Sequence, residues 1–394
     1  MQRKRIGFCG ILGSGNLGND GSLDAVVTYL REKHPDARLG FFCMGPETVA
    51  ERYGAPATPL QWYEPHAGDA TGPRAAGLKV LGKLLDPFRT LAWMRNYDVV
   101  IVPGMGVLEA TLPLRPWAFP YSMLWLGVTA RLTGRKVALV SVGSNVIRKR
   151  GTRWMITRAA RLAHYRSFRD NGSREAMREM GVDVSGDQVY PDLAFALPDP
   201  PARPSSGAVG VGLMAFYGGN DDRARAEEIH EAYVSTMIRF VRWLVDEGRP
   251  VRLFTGDQAD EPVVERVLST VDSERVSYEP VTTLHDMMRG MAEVDTVVAT
   301  RYHNVLCAVK IGKPTISIGY AAKNDVIMEQ MGLREFCQHA GSVDFDRLVA
   351  QFTELEKRRE QFADTMARRN RENRRRLDDQ FAALSAAVLE GERR

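Results

Sequence analysis

The fold is decided by an apolar stretch that ends in a glycine-rich turn, Ile6-Gly7-Phe8-Cys9-Gly10-Ile11-Leu12-Gly13-Ser14-Gly15-Asn16-Leu17-Gly18. Residues 4–12 are predicted to form a β-strand, and apolar residues at helical spacing follow from Ser22 to Lys33. The same order of strand, glycine-containing turn and helix recurs at residues 97–132 and again at 136–163. Repeated βα units of this kind predict a mostly parallel, doubly wound sheet.

A proline-rich segment divides the chain. Residues 197–207 hold four prolines, and the alternation of strands and helices starts again at Ala208. The prediction is therefore an α/β protein with two Rossmann-like domains and C-terminal helices. The domains are predicted as residues 1–197 and 208–343, joined by a linker at 198–207 and followed by a helical segment at 344–394. Two halves of this type are expected to place the main ligand cleft between them.

Composition excludes several classes of protein. The 394 residues are 44% hydrophobic and 26% charged, which is typical of globular proteins and not of disordered, collagen-like or coiled-coil chains. Four cysteines without a Cys-x-x-Cys pair argue against a zinc ribbon or a redox dithiol. Because no run of 18 apolar residues is present, we predict no transmembrane helix. The expectation is a cytoplasmic protein.

The positive charge is concentrated in one C-terminal segment. Residues 357–376 contain nine Lys or Arg and three Asp or Glu, a net charge of +6 in a chain whose total is +4. Nucleic-acid binding is disfavoured because Phe362 is the only aromatic residue of the segment. The segment from Lys357 to Arg376 is predicted as a solvated helix face, with peripheral contact to an anionic membrane as an open alternative.

The first turn has the spacing Gly-x-Gly-x-x-Gly at Gly13, Gly15 and Gly18. Such turns let the backbone approach phosphate or carboxylate oxygens at a helix N-terminus. Dinucleotide binding is disfavoured, because the second strand ends in Cys43-Met44-Gly45 without the expected acidic residue. A tight structural turn and a loop that binds an anion or a sugar remain as the two interpretations.

The densest chemical group lies in the second half of the chain. Arg301 and His303 follow one predicted strand, and Lys323 follows the next. Two permanent cations suit a small dianion, and an imidazole can donate or accept a proton near neutral pH. The structural alternatives are an ion pair of Arg301 with a neighbouring acid and a capping role for His303. Arg169, at a third strand end, is compatible with ligand binding or with a salt bridge to Asp170 or Asp192.

These motifs together resemble the polysaccharide pyruvyl transferase family over residues 5–335. The resemblance rests on the following stretches: residues 15–20, 98–106, 168–173, 181–182, 192–195, 301–303 and 320–323. It implies a fold similar to the GT-B glycosyltransferase type. It also implies transfer of a pyruvyl group from phosphoenolpyruvate to a sugar, giving a pyruvate ketal in cell-envelope polysaccharide biosynthesis. Neither a redox cofactor nor a metal is implied, and the partners are a small-molecule donor and a sugar or glycolipid acceptor.

The resemblance also implies roles for individual residues. His303 would be the general acid, and Arg301, Lys323 and Arg169 would bind phosphoenolpyruvate. Residues of the first turn would face the acceptor, namely Gly15, Asn16, Asn19 and Asp20. The turn departs from the family pattern, because Asn19-Asp20 stands where Asp-Glu is common. If the missing carboxylate contacts the acceptor, this departure implies a different acceptor or a different activity. Two alternatives stay open: a GT-B-type glycosyltransferase with a nucleotide-sugar donor, which would have the same fold and cations near phosphates, and a non-catalytic protein that binds sugars or anions.

Overall fold

The computed structural model describes residues 3–66, 72–109, 118–204, 206–219 and 222–390. Trp117, the first residue of the predicted helix 117–132, lies outside this part of the chain, as do residues 391–394 of the predicted C-terminal helices. The chain divides into two compact units. The first unit comprises residues 1–14, 22–193 and 376–394, and the second comprises residues 15–21 and 194–375.

The first unit is built on a parallel sheet. Its described residues form the strands β1 (Arg5–Gly10), β2 (Arg38–Cys43), β3 (Ala57–Pro59), β4 (Val99–Pro103), β5 (Lys136–Val142), β6 (Tyr165–Phe168) and β7 (Gln188–Val189). Their order across the sheet is β3-β2-β1-β4-β5-β6-β7, and every neighbouring pair is parallel. All five residues of β4 are buried, as expected for a strand covered by helices on both faces.

Helices connect these strands. They are α1 (Leu17–Lys33), α2 (Pro46–Tyr53), α3 (Tyr63–His66), α4 (Gly72–Met94), α5 (Phe119–Thr133), α6 (Arg150–Leu162) and α7 (Asn171–Glu179). Helix α1 begins five residues before the predicted start at Ser22. The side-chain oxygen of Asn16 accepts a hydrogen bond from the Asn19 backbone N–H at 3.2 Å, which caps the helix despite the glycines in its first turns.

The second unit repeats the same topology. Its strands are β8 (Val209–Gly212), β9 (Val251–Phe254), β10 (Val276–Tyr278), β11 (Thr296–Ala299), β12 (Thr315–Gly319) and β13 (Cys337–His339). The order is β10-β9-β8-β11-β12-β13, again with parallel neighbours throughout. Because parallel strands share a direction, the carboxyl ends of β8, β9, β11 and β12 lie along one edge, where ligands bind in such sheets.

The remaining described helices follow the strands of this sheet, and the last of them passes from the second unit into the first at residue 376. They are α8 (Ala226–Asp246), α9 (Glu261–Val271), α10 (Leu284–Met291), α11 (Tyr302–Lys310), α12 (Ala322–Gln330), α13 (Phe345–Lys357) and α14 (Arg359–Leu384). The predicted fold class, two Rossmann-like units with parallel sheets and C-terminal helices, is confirmed. Among the described residues, no helix combines the length and the apolarity that crossing a membrane requires.

Candidate active site

Three predicted site residues lie at the ends of two neighbouring strands of the second unit. Strands β11 and β12 pair in parallel, with Ala299 opposite Ser317. Arg301 is the N-cap residue of α11, and His303 belongs to the first turn of that helix. Lys323 lies in the first turn of α12, directly after β12. The sheet therefore carries all three side chains to the same edge.

Arg301 is held by a buried carboxylate. Its Nε and Nη2 atoms donate to the two oxygens of Asp260 at 2.8 and 2.7 Å, and Asp260 is fully buried. Burial acts to lower the pKa of the Arg301 guanidinium, but the hydrogen bonds and the negative charge of Asp260 outweigh it and leave the pKa raised. Arg301 is therefore a fixed cation, and it makes the ion pair that the sequence left open as an alternative to ligand binding.

Asp260 was missed by sequence reasoning. Its carboxylate also accepts hydrogen bonds from the backbone N–H groups of Ala215 at 2.9 Å and Gly256 at 3.4 Å. It follows β9 in a short 3₁₀ turn, Gln258–Asp260. The signal that could have found it is the pair of carboxylates, Asp257 and Asp260, just beyond an apolar strand that ends at the ligand-binding edge.

Lys323 lies near two aromatic rings. Its Nζ atom is 5.5 Å from the centre of the Tyr302 ring and 5.4 Å from the centre of the Tyr320 ring. Both distances are within the range of a cation–π interaction, which orients the ammonium group without neutralising it. The two rings therefore position the ammonium group of Lys323 at this edge of the sheet, where it can attract an anion.

His303 packs against Gly18, in the first turn of α1 just after the glycine-rich turn. A Cβ atom at Gly18 would overlap the imidazole ring, so glycine is required for this close approach. The imidazole also meets the Tyr302 ring edge to face, with ring centres 5.0 Å apart. Its Nε2 atom is withdrawn from solvent. The turn and the first residues of α11 thus fix the position of His303 together.

The turn itself is anchored to the end of β9. The side-chain amide of Asn16 donates to Asp257 Oδ2 at 3.1 Å, and the Leu17 backbone N–H donates to the Gly256 carbonyl at 3.4 Å. Gly15 has a φ of +84°, which a residue with a side chain rarely adopts. The side-chain nitrogen and oxygen of Asn16 therefore both take part in holding the turn. Asn19 and Asp20 lie in the first turn of α1.

A layer of buried polar side chains lies beneath these residues. The amide of Asn304 is fully buried, and Cβ atoms at Gly212 and Gly256 would each come within 2.8 Å of it. Asn324 donates to the Thr300 carbonyl at 3.2 Å, and the Thr300 hydroxyl lies 2.8 Å from that of Tyr233. Burial raises the pKa of Tyr233, so this phenol stays protonated. Pattern reasoning missed this layer because its members come from separate elements.

Arg169 belongs to the first unit, where it follows β6. Its side chain is only 5% exposed and forms ion pairs with Glu109 and Asp170, the latter with Nε 3.6 Å from Oδ2. Asp170 also caps α7 through a 2.6 Å hydrogen bond from the Ser173 backbone N–H. The salt bridge to Asp170 was one of the sequence alternatives, whereas Glu109 was missed because 60 residues separate it from Arg169.

The part of the chain that the structure describes contains no candidate metal site. There, no three His, Cys, Asp or Glu side chains come together in a way that could hold a metal ion. The predicted site residues of the second unit carry cationic and imidazole groups, whose chemistry suits an anionic ligand and proton transfer.

Comparison with known proteins identifies the family and the fold. A family model described as polysaccharide pyruvyl transferase matches residues 16–321. No curated protein sequence matches this chain.

Solved structures share the architecture at low identity. A putative UDP-N-acetylglucosamine 2-epimerase from Listeria monocytogenes has 13% identity and a TM-score of 0.65 over 100% of this chain and 98% of its own. The Anabaena protein HepE, solved in complex with UDP-glucose, has 13% identity and a TM-score of 0.59 over 97% of this chain and 99% of its own. The UDP-GlcNAc 2-epimerase from Neisseria meningitidis, solved with UDP-GlcNAc, has 12% identity and a TM-score of 0.55 over 93% of this chain and 94% of its own. These likenesses show a GT-B-like fold.

Proposed function

Because this chain belongs to the polysaccharide pyruvyl transferase family, we propose that it transfers the pyruvyl group of phosphoenolpyruvate to two hydroxyls of a sugar, forming a cyclic pyruvate ketal. The observation that carries the proposal is the group of Arg301, His303 and Lys323 at the carboxyl ends of β11 and β12. Phosphoenolpyruvate bears a carboxylate and a phosphate, and the two cations suit its charge.

Arg301 and Lys323 would bind the donor in different ways. Asp260 uses two of the five N–H groups of the Arg301 guanidinium and fixes its plane. We assign the remaining N–H groups to the carboxylate of phosphoenolpyruvate, because a guanidinium can donate to both oxygens of a carboxylate. Lys323, oriented by two aromatic rings, is assigned to the phosphate as a point charge.

His303 would move the protons. In the first step its imidazolium protonates C3 of the donor, directly or through water, so that the methylene becomes a methyl group and C2 becomes cationic. A sugar hydroxyl then bonds to C2 and returns its proton to the imidazole. Cleavage of the bond from C2 to the phosphate oxygen releases phosphate, and a second hydroxyl closes the ketal. Of the two hydroxyl protons, one replaces the proton given to C3 and the other leaves with phosphate.

The acceptor would be bound by residues at the start of the chain's first helix. Binding of the acceptor by Gly15, Asn16, Asn19 and Asp20 stays a prediction, and so does binding of the donor by Arg169. Asn16 already shares its amide between Asp257 and the Asn19 backbone. We therefore expect Asn16→Ala to disturb the position of Gly18, and with it His303, in addition to any acceptor contact.

The test is turnover with defined components. The protein is incubated with phosphoenolpyruvate and sugars that offer pairs of hydroxyls, and released phosphate and the mass of the ketal are measured. His303→Asn should abolish both signals while thermal stabilisation by phosphoenolpyruvate persists, because a ligand that binds only the native state raises its stability. Wild-type protein that gains no stability from phosphoenolpyruvate would contradict the proposal.

A second candidate is a glycosyltransferase with a nucleotide-sugar donor. It is favoured by one observation, namely that HepE was solved with UDP-glucose and that it shares the fold of this chain. The same experiment with UDP- and GDP-sugars distinguishes the two. Release of a nucleoside diphosphate in place of phosphate would favour the glycosyltransferase.

A further inference from the structure

A cavity of about 570 Å³ lies in the second unit, between the proline-rich linker, the end of α11 and the basic helix α14. Five basic residues and one acidic residue are among those that line it: Arg203, Lys310, Lys313, Arg371, Arg374 and Asp199. The basic segment that the sequence left without a role thus contributes one wall of a defined cavity.

The cavity lies at the opposite edge of the sheet from His303. Helix α11 starts after the carboxyl end of β11 and runs nine residues to Lys310, which is about 13 Å at 1.5 Å per residue. Lys313 comes just before β12, and the linker comes just before β8. The cavity is therefore at the amino ends of the strands, and it is separate from the donor site that we propose.

The wall of the cavity has an excess of positive charge. Lys310 is 4% exposed and pairs with Asp199, the acidic residue of the lining. Lys313 donates to the Ala292 carbonyl at 3.0 Å, and Arg374 donates to the Ala196 carbonyl at 3.0 Å. Carbonyl groups satisfy hydrogen bonds but do not neutralise charge, and the end of α11 contributes only about half a negative charge. Asp199, the two carbonyl groups and the end of α11 therefore offset only a minor part of the positive charge of the wall.

We propose that this cavity binds a phosphate-bearing anion, either a phosphorylated small molecule or the phosphate of a lipid headgroup. Phosphate matches the mixture of guanidinium and ammonium groups, and its two negative charges suit a wall that carries several positive charges. The volume lies within the usual range of ligand pockets, roughly 300–1,000 Å³, so it accommodates the organic part of such a ligand as well. The inference does not rest on the proposed reaction.

The test compares two double variants that remove equal charge from α14 and its surroundings. Arg203→Ser/Arg371→Ser removes two exposed residues that line the cavity, whereas Arg368→Ser/Arg375→Ser removes two exposed residues that do not. Both are made in full-length Lys323→Met protein, so that the proposed donor site does not contribute. Calorimetry with pyrophosphate is expected to show at least 10-fold weaker binding for the cavity variant and little change for the control. Equal affinities in the two variants would overturn the proposal.

Vesicles distinguish the two sources of phosphate. Sedimentation is measured with vesicles of phosphatidylglycerol and with vesicles of phosphatidylcholine alone. Binding to the anionic vesicles that is lost only in the cavity variant assigns the site to a lipid headgroup. Loss of pyrophosphate binding in the cavity variant without any vesicle binding assigns it to a small phosphorylated ligand. Vesicle binding that falls equally in both variants shows general attraction by the basic helix and overturns the assignment to the cavity.

Discussion

Replacing Asp260 with alanine should destabilise the second unit strongly. The substitution removes the carboxylate that accepts from Arg301 Nε and Nη2 and from two backbone N–H groups. Asp260 is fully buried and the Arg301 side chain is 19% exposed, so the guanidinium is left largely desolvated without its counter-charge. Breaking a buried pair on one side costs about 3–5 kcal/mol of unfolding free energy.

The loss should be visible in melting temperature. For a domain of this size, about 1 kcal/mol corresponds to about 2–4 °C, so Asp260→Ala should melt about 6–20 °C lower. Urea unfolding followed by tryptophan fluorescence gives the free energy directly. The double variant Asp260→Leu/Arg301→Met should be more stable than Asp260→Ala, because an apolar pair replaces both charges. Recovery should be partial, because the backbone N–H groups of Ala215 and Gly256 still lack their acceptor.

A matched control is the ion pair of Arg266 with Glu231, which has a similar bidentate geometry but lies on the surface. Glu231→Ala should leave the unfolding curve unchanged within error, because water screens an exposed pair. A loss below about 1 kcal/mol for Asp260→Ala would refute the reasoning, since it would mean that solvent or another group compensates Arg301. A double variant no more stable than the single one would refute the charge explanation in particular.

Gly18, Lys323 and Cys337 offer further tests of individual side-chain environments. Gly18→Ala should lower the rate of phosphate release at least 10-fold and cost about 1–3 kcal/mol of stability, because the added methyl group overlaps His303; a normal rate in a folded variant would contradict this. In a thermal-shift titration, Lys323→Met should need at least 10-fold more phosphoenolpyruvate than wild type for the same rise in melting temperature, and Lys323→Arg should be less affected. Equal shifts for wild type and Lys323→Met would exclude a role in donor binding. Burial, with the negative charge of Asp325, raises the pKa of Cys337 from 9.0 to about 12, so its thiol should react slowly with thiol reagents at pH 9 in native protein and quickly in urea. As the pH rises, the thiol of the unfolded chain ionises at a lower pH than the thiol of the folded protein. The contribution of Cys337 to the free energy of unfolding should therefore be fully present below about pH 9 and should be lost as the pH approaches 12. Urea unfolding at several pH values across this range measures the loss.

Long, strongly patterned elements were predictable from the sequence. Strand β4 is a continuous apolar run followed by glycine, which is the pattern of a parallel strand buried on both faces. Strands β3, β7, β10 and β13 were missed, because two or three residues at the sides of a sheet leave no periodic signal. Helix α4 was missed as well, and it contains Pro87, which normally argues against a helix interior.

The candidate site was predictable in its residue types and not in its pairings. Arg301, His303 and Lys323 could be brought together because the ends of parallel strands share an edge of the sheet. Asp260 lies 41 residues before Arg301, and Gly18 comes from the other end of the chain. Such non-local contacts depend on three-dimensional packing, which a single sequence does not encode as a pattern.

The placement of residues 15–21 in the second unit has a consequence for how this protein can be divided. A fragment that starts after the proline-rich linker would contain His303 but would lack the seven-residue segment 15–21, which includes the start of α1 and on which the imidazole rests. Chimeras made by exchanging C-terminal halves between relatives would likewise pair a histidine with a foreign segment. The half of the protein that carries the proposed general acid is therefore not a contiguous piece of the gene, and exchange experiments need to move residues 15–21 with it.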